Sequence, residues 1–119
     1  MAWMFTSGKP LAIQMADRLR GEILSGAFGV GEQFPTVRAL AELASVNPNT
    51  VQRALLILEG EGLLVTKTTI GRFVTEDEMV LGEARDKEKE KFVALIIKEA
   101  KEKRMECEEL LSYIQKGWT

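Results

Sequence analysis

Residues 34–63 read FPTVRALAELASVNPNTVQRALLILEGEGL, a pattern that predicts two short amphipathic helices joined by a tight turn. The second helix is predicted over about residues 48–61. Asn47 is among the favoured N-cap residues, and Pro48 suits the first helical position. Gly62 suits the position just after a helix end. Both ends of this helix can therefore be assigned from local chemistry.

The side chains of the second helix separate by angle. At about 100° per residue, its apolar members fall on one side, namely Val51, Ala54, Leu55 and Leu58. Asn49, Gln52 and Arg53 fall on the opposite side, and Thr50 joins them in the exposed first turns. Side chains of these types can bind base edges and phosphates in DNA. We therefore predict a recognition helix.

Two helices are predicted before this one, and the nearer of them is the other member of the pair in residues 34–63. Pro10 suits the start of a helix over about residues 11–25, whose apolar stripe recurs every four residues at Leu11, Met15, Leu19 and Ile23. Thr36 is a favoured N-cap for a helix over about residues 37–44. Its apolar side chains should turn inward, namely Val37, Leu40 and Ala41. We expect the three helices to share one core.

A β-hairpin is predicted after the recognition helix. Two short β-prone runs, residues 63–65 and 72–75, lie on either side of a loop that contains Gly71. Such a hairpin after three helices is typical of a winged helix-turn-helix domain, in which the hairpin is the wing. We therefore predict a mainly α fold with a small β-hairpin, and assign this domain to residues 1–75.

Residues 76–119 are predicted to form a helical dimerisation region. A long helix over about 79–103 begins with a charged stretch, for which a disordered hinge is the alternative, and then carries apolar side chains on every side. A last helix is predicted over about 106–116. Because a helix is apolar all round only where both sides are covered, we expect a homodimer. The side chains assigned to the dimer contact are Phe92, Val93, Leu95, Ile96, Ile97, Leu110, Leu111 and Ile114.

Charge and residue types restrict the possible functions. The net charge of −2 argues mildly against nucleic acid, but residues 1–75 hold seven Lys/Arg against six Asp/Glu, whereas residues 76–119 hold nine against twelve. The chain has no His, and acidic neighbours disfavour the thiolate of its lone cysteine, Cys107. We therefore predict no enzyme activity, no metal site and no cofactor. Since no membrane span or signal-peptide pattern is present, we expect a cytoplasmic protein without a membrane partner.

Three strings resemble the DNA-binding domain of GntR-family bacterial transcription regulators: residues 31–41, 46–54 and 58–63. The opening Pro-Leu-Ala-Ile-Gln of residues 10–14 is also similar to that family. The short helical tail resembles the YtrA subfamily, whose small C-terminal part forms dimers. Thr69 departs from the family, which usually has a glycine at this position of the wing, and so does Arg72, which follows Gly71.

The resemblance implies a role in DNA binding for nine residues. Arg38 would contact a phosphate or a guanine edge, and Gly71 would bring the tip of the wing into the minor groove. Lys67 and Arg72 on the hairpin would contact DNA, unless they are only charges that protect a strand edge. The side chains implied in or along the major groove are Asn47, Asn49, Thr50, Gln52 and Arg53.

Structural explanations compete with these roles. Arg38 can pair with Glu42 one turn later, and Asn47 is needed as an N-cap. Asn49 and Thr50 can be there because both residue types favour helix starts. Gln52 and Arg53 have no such explanation and are expected to point outward.

The leading hypothesis is a repressor that binds an inverted repeat in double-stranded DNA as a homodimer. The alternative is a winged-helix module that contacts another protein without specific DNA binding. The polar outer side of the recognition helix argues against it, because protein-binding surfaces are richer in aromatic residues. Whether a small-molecule effector exists is left open by the sequence.

Overall fold

The computed structural model describes residues 3–119, and within them it contains five α-helices and one β-hairpin. The elements in chain order are α1 (Leu11–Ser25), α2 (Val37–Ala44), α3 (Pro48–Gly60), β1 (Leu64–Lys67), β2 (Gly71–Val74), α4 (Glu78–Glu102) and α5 (Cys107–Gly117). The predicted mainly α fold with a small hairpin is confirmed. The chain divides into two compact units, of which the first ends at Glu83 and the second covers Ala84–Thr119.

The core of the first unit forms where α1 and α2 pack on the apolar side of α3. Its largest fully buried side chains are Met15, Leu19, Ile23, Leu40, Val51, Leu55, Leu58, Leu63, Val74 and Leu81. The predicted inner side of α3 is confirmed, since Val51, Ala54, Leu55 and Leu58 have no exposed surface. The polar side of the same helix is therefore left facing outward.

The prediction of a buried position is wrong for one residue of α1. Leu11 is 36% exposed, whereas Met15, Leu19 and Ile23 are buried as expected. A spacing of four residues exceeds the helical period of 3.6, so each step drifts by about 40° around the helix. Leu11 stands at the end of the stripe, where the accumulated drift brings it to the surface. In α2, Val37 is half-buried rather than fully inward.

The predicted caps of α2 and α3 are confirmed. Oγ1 of Thr36 accepts a hydrogen bond from the backbone N–H of Ala39 at 3.0 Å, and Oδ1 of Asn47 accepts one from Asn49 at 2.8 Å. After α3, Gly62 has a φ of 82°, a left-handed conformation that other residues rarely adopt. Its N–H donates to the carbonyl of Glu59 at 2.9 Å, which ends the helix and turns the chain toward β1.

The hairpin pairs β1 with β2 in antiparallel register, with Thr66 opposite Arg72. The edge of β2 that faces away from β1 forms backbone hydrogen bonds with residues 31–34, which precede α2. The N–H of Phe34 donates to the carbonyl of Arg72 at 2.7 Å, and the N–H of Val74 donates to the carbonyl of Glu32 at 2.9 Å. The backbone of β2 is thus held from both sides, an arrangement that the hairpin pattern alone did not predict.

The second unit contains most of α4 and all of α5. The charged stretch at residues 82–91 is helical, so the alternative of a disordered hinge is wrong. The observed α5 lies within one residue of its predicted bounds. Several large apolar side chains of this unit are exposed, and Phe92 and Leu95 are each 64% accessible. Within residues 3–119, no helix combines the length and the apolar character that a membrane span requires.

Candidate nucleic-acid interface

The first turns of α3 present polar side chains at the surface. Asn47, Asn49 and Arg53 are exposed, and Thr50 is half-buried. Asn47 uses only its side-chain oxygen for the cap, so its amide N–H groups stay available as donors. This arrangement suits a helix that enters the major groove. The DNA contacts of these residues remain predictions.

Gln52 differs from the sequence-based expectation. It is half-buried, and its Oε1 lies 3.4 Å from Nη2 of Arg72 on the wing. The expectation that this side chain simply points outward is therefore wrong, because it packs against the wing. Gln52 and Glu59 are two helical turns apart and so lie on the same side of α3, the side that meets the hairpin. Of the pair expected to point outward, Arg53 alone is exposed.

An ion pair joins the wing to α3. Nε of Arg72 donates to Oε1 of Glu59, and Oγ1 of Thr66 donates to the other carboxylate oxygen at 3.0 Å. The side chains of Arg72 and Glu59 are 19% and 25% exposed. The hydrogen bond from Arg72 lowers the pKa of Glu59, and the bond from Thr66 acts in the same direction against the effect of burial. Arg72, expected on the DNA, is already engaged within the protein.

The tip of the wing is shaped by one glycine and one side-chain bond. Gly71 has a φ of 129°, and a Cβ there would lie 3.2 Å from Nε2 of Gln33. That same nitrogen donates to the carbonyl of Ile70 at 2.9 Å, which ties the tip to the chain before α2. Nζ of Lys67 lies 4.6 Å from the centre of the Phe73 ring. Lys67 is exposed, so a phosphate can reach it from solvent.

Arg38 lies on the surface of α2. Its Nε is 3.7 Å from Glu42, as the competing explanation expected, but the two side chains are 91% and 74% exposed. Such a pair contributes little to stability, because solvent screens it. Arg38 therefore remains free to exchange Glu42 for a phosphate.

A second ion pair ties the residue that follows α3 to α1, and it was not predicted from the sequence. Nε and Nη2 of Arg20 donate to the two carboxylate oxygens of Glu61 at 2.7 and 2.5 Å, and Nη1 donates to Asp17 at 2.7 Å. The hydrogen bond to Glu61 raises the pKa of Arg20 although burial opposes it. One signal was available: Arg20 lies four residues after Ala16 and three before Ile23, which places it on the buried side of α1.

Within residues 3–119, no group of three or more His, Cys, Asp or Glu side chains is arranged to hold a metal ion. Cys107 is exposed at the start of α5. The polar side chains described above lie on α2, on α3 and along the wing, and their types suit the binding of DNA.

Comparisons with known proteins agree with this geometry. A model of the family described as "Bacterial regulatory proteins, gntR family" matches residues 11–74. The uncharacterized HTH-type transcriptional regulator YhcF of Bacillus subtilis is 32% identical over 111 residues, which are 93% of this chain and 92% of YhcF. The transcriptional repressor YtrA of the same organism is 34% identical over 71 residues, which are 60% of this chain and 55% of YtrA.

A solved structure extends the similarity to the C-terminal helices. A GntR family transcriptional regulator from Listeria monocytogenes superposes with a TM-score of 0.87 at 27% identity. The superposition covers 94% of this chain and 98% of that protein. The match includes the winged domain and continues beyond it, as the resemblance to the YtrA subfamily implies.

Proposed function

This chain belongs to the gntR family of bacterial regulatory proteins, and from that premise we propose that it represses transcription by binding an inverted-repeat operator as a homodimer. It is a DNA-binding transcription regulator with a winged helix-turn-helix domain. The similarity to YtrA, named as a repressor, supports repression. We assign residues 1–75 to DNA binding and residues 76–119 to dimerisation, in a protein that acts in the cytoplasm.

The observation that carries this proposal is the outward polar side of α3. Asn49 and Arg53 are exposed while the opposite side of the helix is buried. In the proposed complex, α3 lies in the major groove, where Asn49 and Gln52 contact base edges. Arg38, Arg53 and Lys67 bind phosphates, which position the domain without reading sequence. The wing near residues 67–72 lies at the minor groove.

The exposed apolar surface of the second unit supports the homodimer. A monomer rarely leaves several large apolar side chains together in water, because burying them is favourable. We propose that a second copy of the chain covers this surface. The contact would consist of Phe92, Val93, Leu95, Ile96, Ile97, Leu110, Leu111 and Ile114. Two recognition helices about 34 Å apart would then read two half-sites, one turn of DNA from each other.

Selection from a random pool of duplex DNA tests the proposal. The full-length protein should enrich an inverted repeat, and its affinity for that repeat should fall with salt. Three exposed basic side chains per protomer, Arg38, Arg53 and Lys67, give a dimer about six phosphate contacts, so the log–log slope should be about −5. No enriched sequence together with a slope near zero would instead favour a module that binds another protein.

Two substitutions distinguish a side chain that contacts bases from one that contacts the phosphate backbone. Asn49→Ala should weaken the best site by roughly 1–3 kcal/mol and relax preference at one base pair per half-site. Lys67→Ala is the matched control on the wing, and it should weaken all sequences alike. If Asn49→Ala and Gln52→Ala both left the sequence preference unchanged, α3 would not be the element that reads the bases.

A further inference from the structure

We infer that Arg72 is a specificity-determining residue that acts by orienting Gln52, so that Gln52 presents N–H donors to a base rather than its carbonyl oxygen. The inference rests on the proposed binding of DNA by α3. It changes the role expected for Arg72 from contact with DNA to control of the side chain that makes the contact. It also gives the wing a part in base recognition without requiring it to touch that base.

The guanidinium of Arg72 is held in one orientation. Its Nε donates to Glu59, whose other oxygen is occupied by Thr66, and Thr66 stands directly across the hairpin from Arg72. Nε and Nη2 share one edge of the planar guanidinium. The ion pair with Glu59 therefore turns that whole edge toward α3, and Nη2 is brought to Gln52.

The chemistry of the contact decides which way the Gln52 amide faces. A guanidinium has only donors, so the atom that approaches Nη2 at 3.4 Å has to be the oxygen of the amide. Because the oxygen is turned to Arg72, the nitrogen on the same carbon is turned away from the guanidinium. At 3.4 Å the bond is long, and its effect is to select between the two orientations of a half-buried side chain.

The orientation determines the kind of base that Gln52 can read. A glutamine that offers both its oxygen and its nitrogen suits adenine, which presents an acceptor and a donor in the major groove. A glutamine whose oxygen is turned to Arg72 offers mainly its N–H donors, and these suit an edge made of acceptors, which guanine offers at O6 and N7 and thymine offers at O4. We therefore expect the base under Gln52 to be guanine or thymine rather than adenine.

Arg72→Lys is the sharpest test, because it keeps the positive charge and removes the fork that bridges Glu59 and Gln52. Selection from a random duplex pool should be run on the full-length wild type, Arg72→Lys, Gln52→Ala and the double variant. Gln52 is expected to contact one base pair per half-site. At that base pair, Arg72→Lys should lower the ratio of affinities for guanine or thymine over adenine by about fivefold. The salt slope of binding should stay as in the wild type. In the Gln52→Ala background, Arg72→Lys should change no preference.

Controls separate this effect from loss of structure. Lys67→Ala, on the same hairpin, should lower affinity without altering preference at any base pair. If thermal unfolding shows that Arg72→Lys disrupts the wing, Glu59→Gln is used instead. This variant removes the carboxylate that holds Arg72 in place, and Arg72 keeps its positive charge. Glu59→Gln should shift preference at the same base pair and in the same direction.

Two results would overturn the inference. The first is that the wild type prefers adenine at the base pair where Gln52→Ala loses its sequence preference. The other is a set of folded Arg72 and Glu59 variants that weaken all sequences evenly with an unchanged profile, as a phosphate contact would. In both cases the wild type still enriches a repeat, so the proposed function stands. A wild type that enriches no sequence removes the proposed function and this inference together.

Discussion

Replacing Glu61 by glutamine should destabilise the protein more than removing the buried arginine that it binds. Arg20 has only 10% of its side chain exposed, and Glu61 neutralises it through two parallel hydrogen bonds. In Glu61→Gln the shape is kept, but the charge is lost and the amide nitrogen faces an N–H of Arg20. A buried cation then keeps Asp17 as its remaining partner.

The magnitude follows from the exposure of the two partners. Breaking a fully buried ion pair by removing one charge costs about 3–5 kcal/mol. Glu61 is 38% exposed and Asp17 still binds Arg20, so solvent and the second carboxylate reduce the expected cost to roughly 2 kcal/mol. Arg20→Met removes the buried charge itself and leaves Glu61 in contact with water. Such apolar replacements are often neutral, so its cost should lie at about 0–1 kcal/mol.

Urea unfolding followed by far-ultraviolet circular dichroism measures both variants, at one protein concentration because association adds to apparent stability. The order of the two free energies of unfolding is the decisive result. If Arg20→Met were destabilised as much as Glu61→Gln or more, the ion pair would be a source of net stability, and the argument from an uncompensated buried charge would fail. Asp17→Asn is a further control and should cost less than Glu61→Gln, because its side chain is 61% exposed.

Three further predictions concern the cap, the wing and the dimer. Asn47→Ala should lower the free energy of unfolding by about 1 kcal/mol, whereas Asn47→Ser should be nearly neutral because serine also caps; chemical denaturation distinguishes them. The folded-state pKa of Glu59 lies below its ordinary value of 4.5, so its ion pair contributes stability above that pH and loses it as the pH falls through the lowered pKa. Glu59→Gln should thus cost about 1–2 kcal/mol at neutral pH, and urea titrations should show the difference from wild type shrinking as the pH falls below 4.5. Ile96→Glu should give a folded winged domain that sediments as a monomer and loses most operator affinity, because a buried carboxylate would oppose association; an unchanged dimer would contradict the assigned contact.

The helix ends were predictable from sequence because their causes are local. The bonds made by Thr36 and Asn47 join residues two or three positions apart, and Gly62 acts through its own backbone. The ion pairs were not predictable in the same way. Arg20 and Glu61 are 41 residues apart, and Glu59 and Arg72 are 13 apart. Nothing in either local pattern indicates the partner until the helices and the hairpin have packed.

The candidate site shows the same division. The polar side of α3 followed from its period, and Arg53 is exposed as that period predicts. Gln52 lies on the same side by angle, yet it is half-buried, because the hairpin packs beside it and Arg72 reaches across. A helical projection gives the direction of a side chain and omits what another element brings to it. Thus the polar surface of α3 could be located from sequence, while the orientation of its groups required the fold.

The backbone bonds between residues 31–34 and β2 bear on how proteins of this architecture can vary in length. An insertion in residues 31–34 would shift the register of every bond to β2 and displace the start of α2 at the same time. The turn at residues 68–70 is held by one backbone bond across the turn and by the side chain of Gln33. Extra residues there would lengthen the wing and leave the three helices undisturbed. Natural variation in the reach of the wing is therefore expected at its tip, while the segment before α2 keeps a constant length.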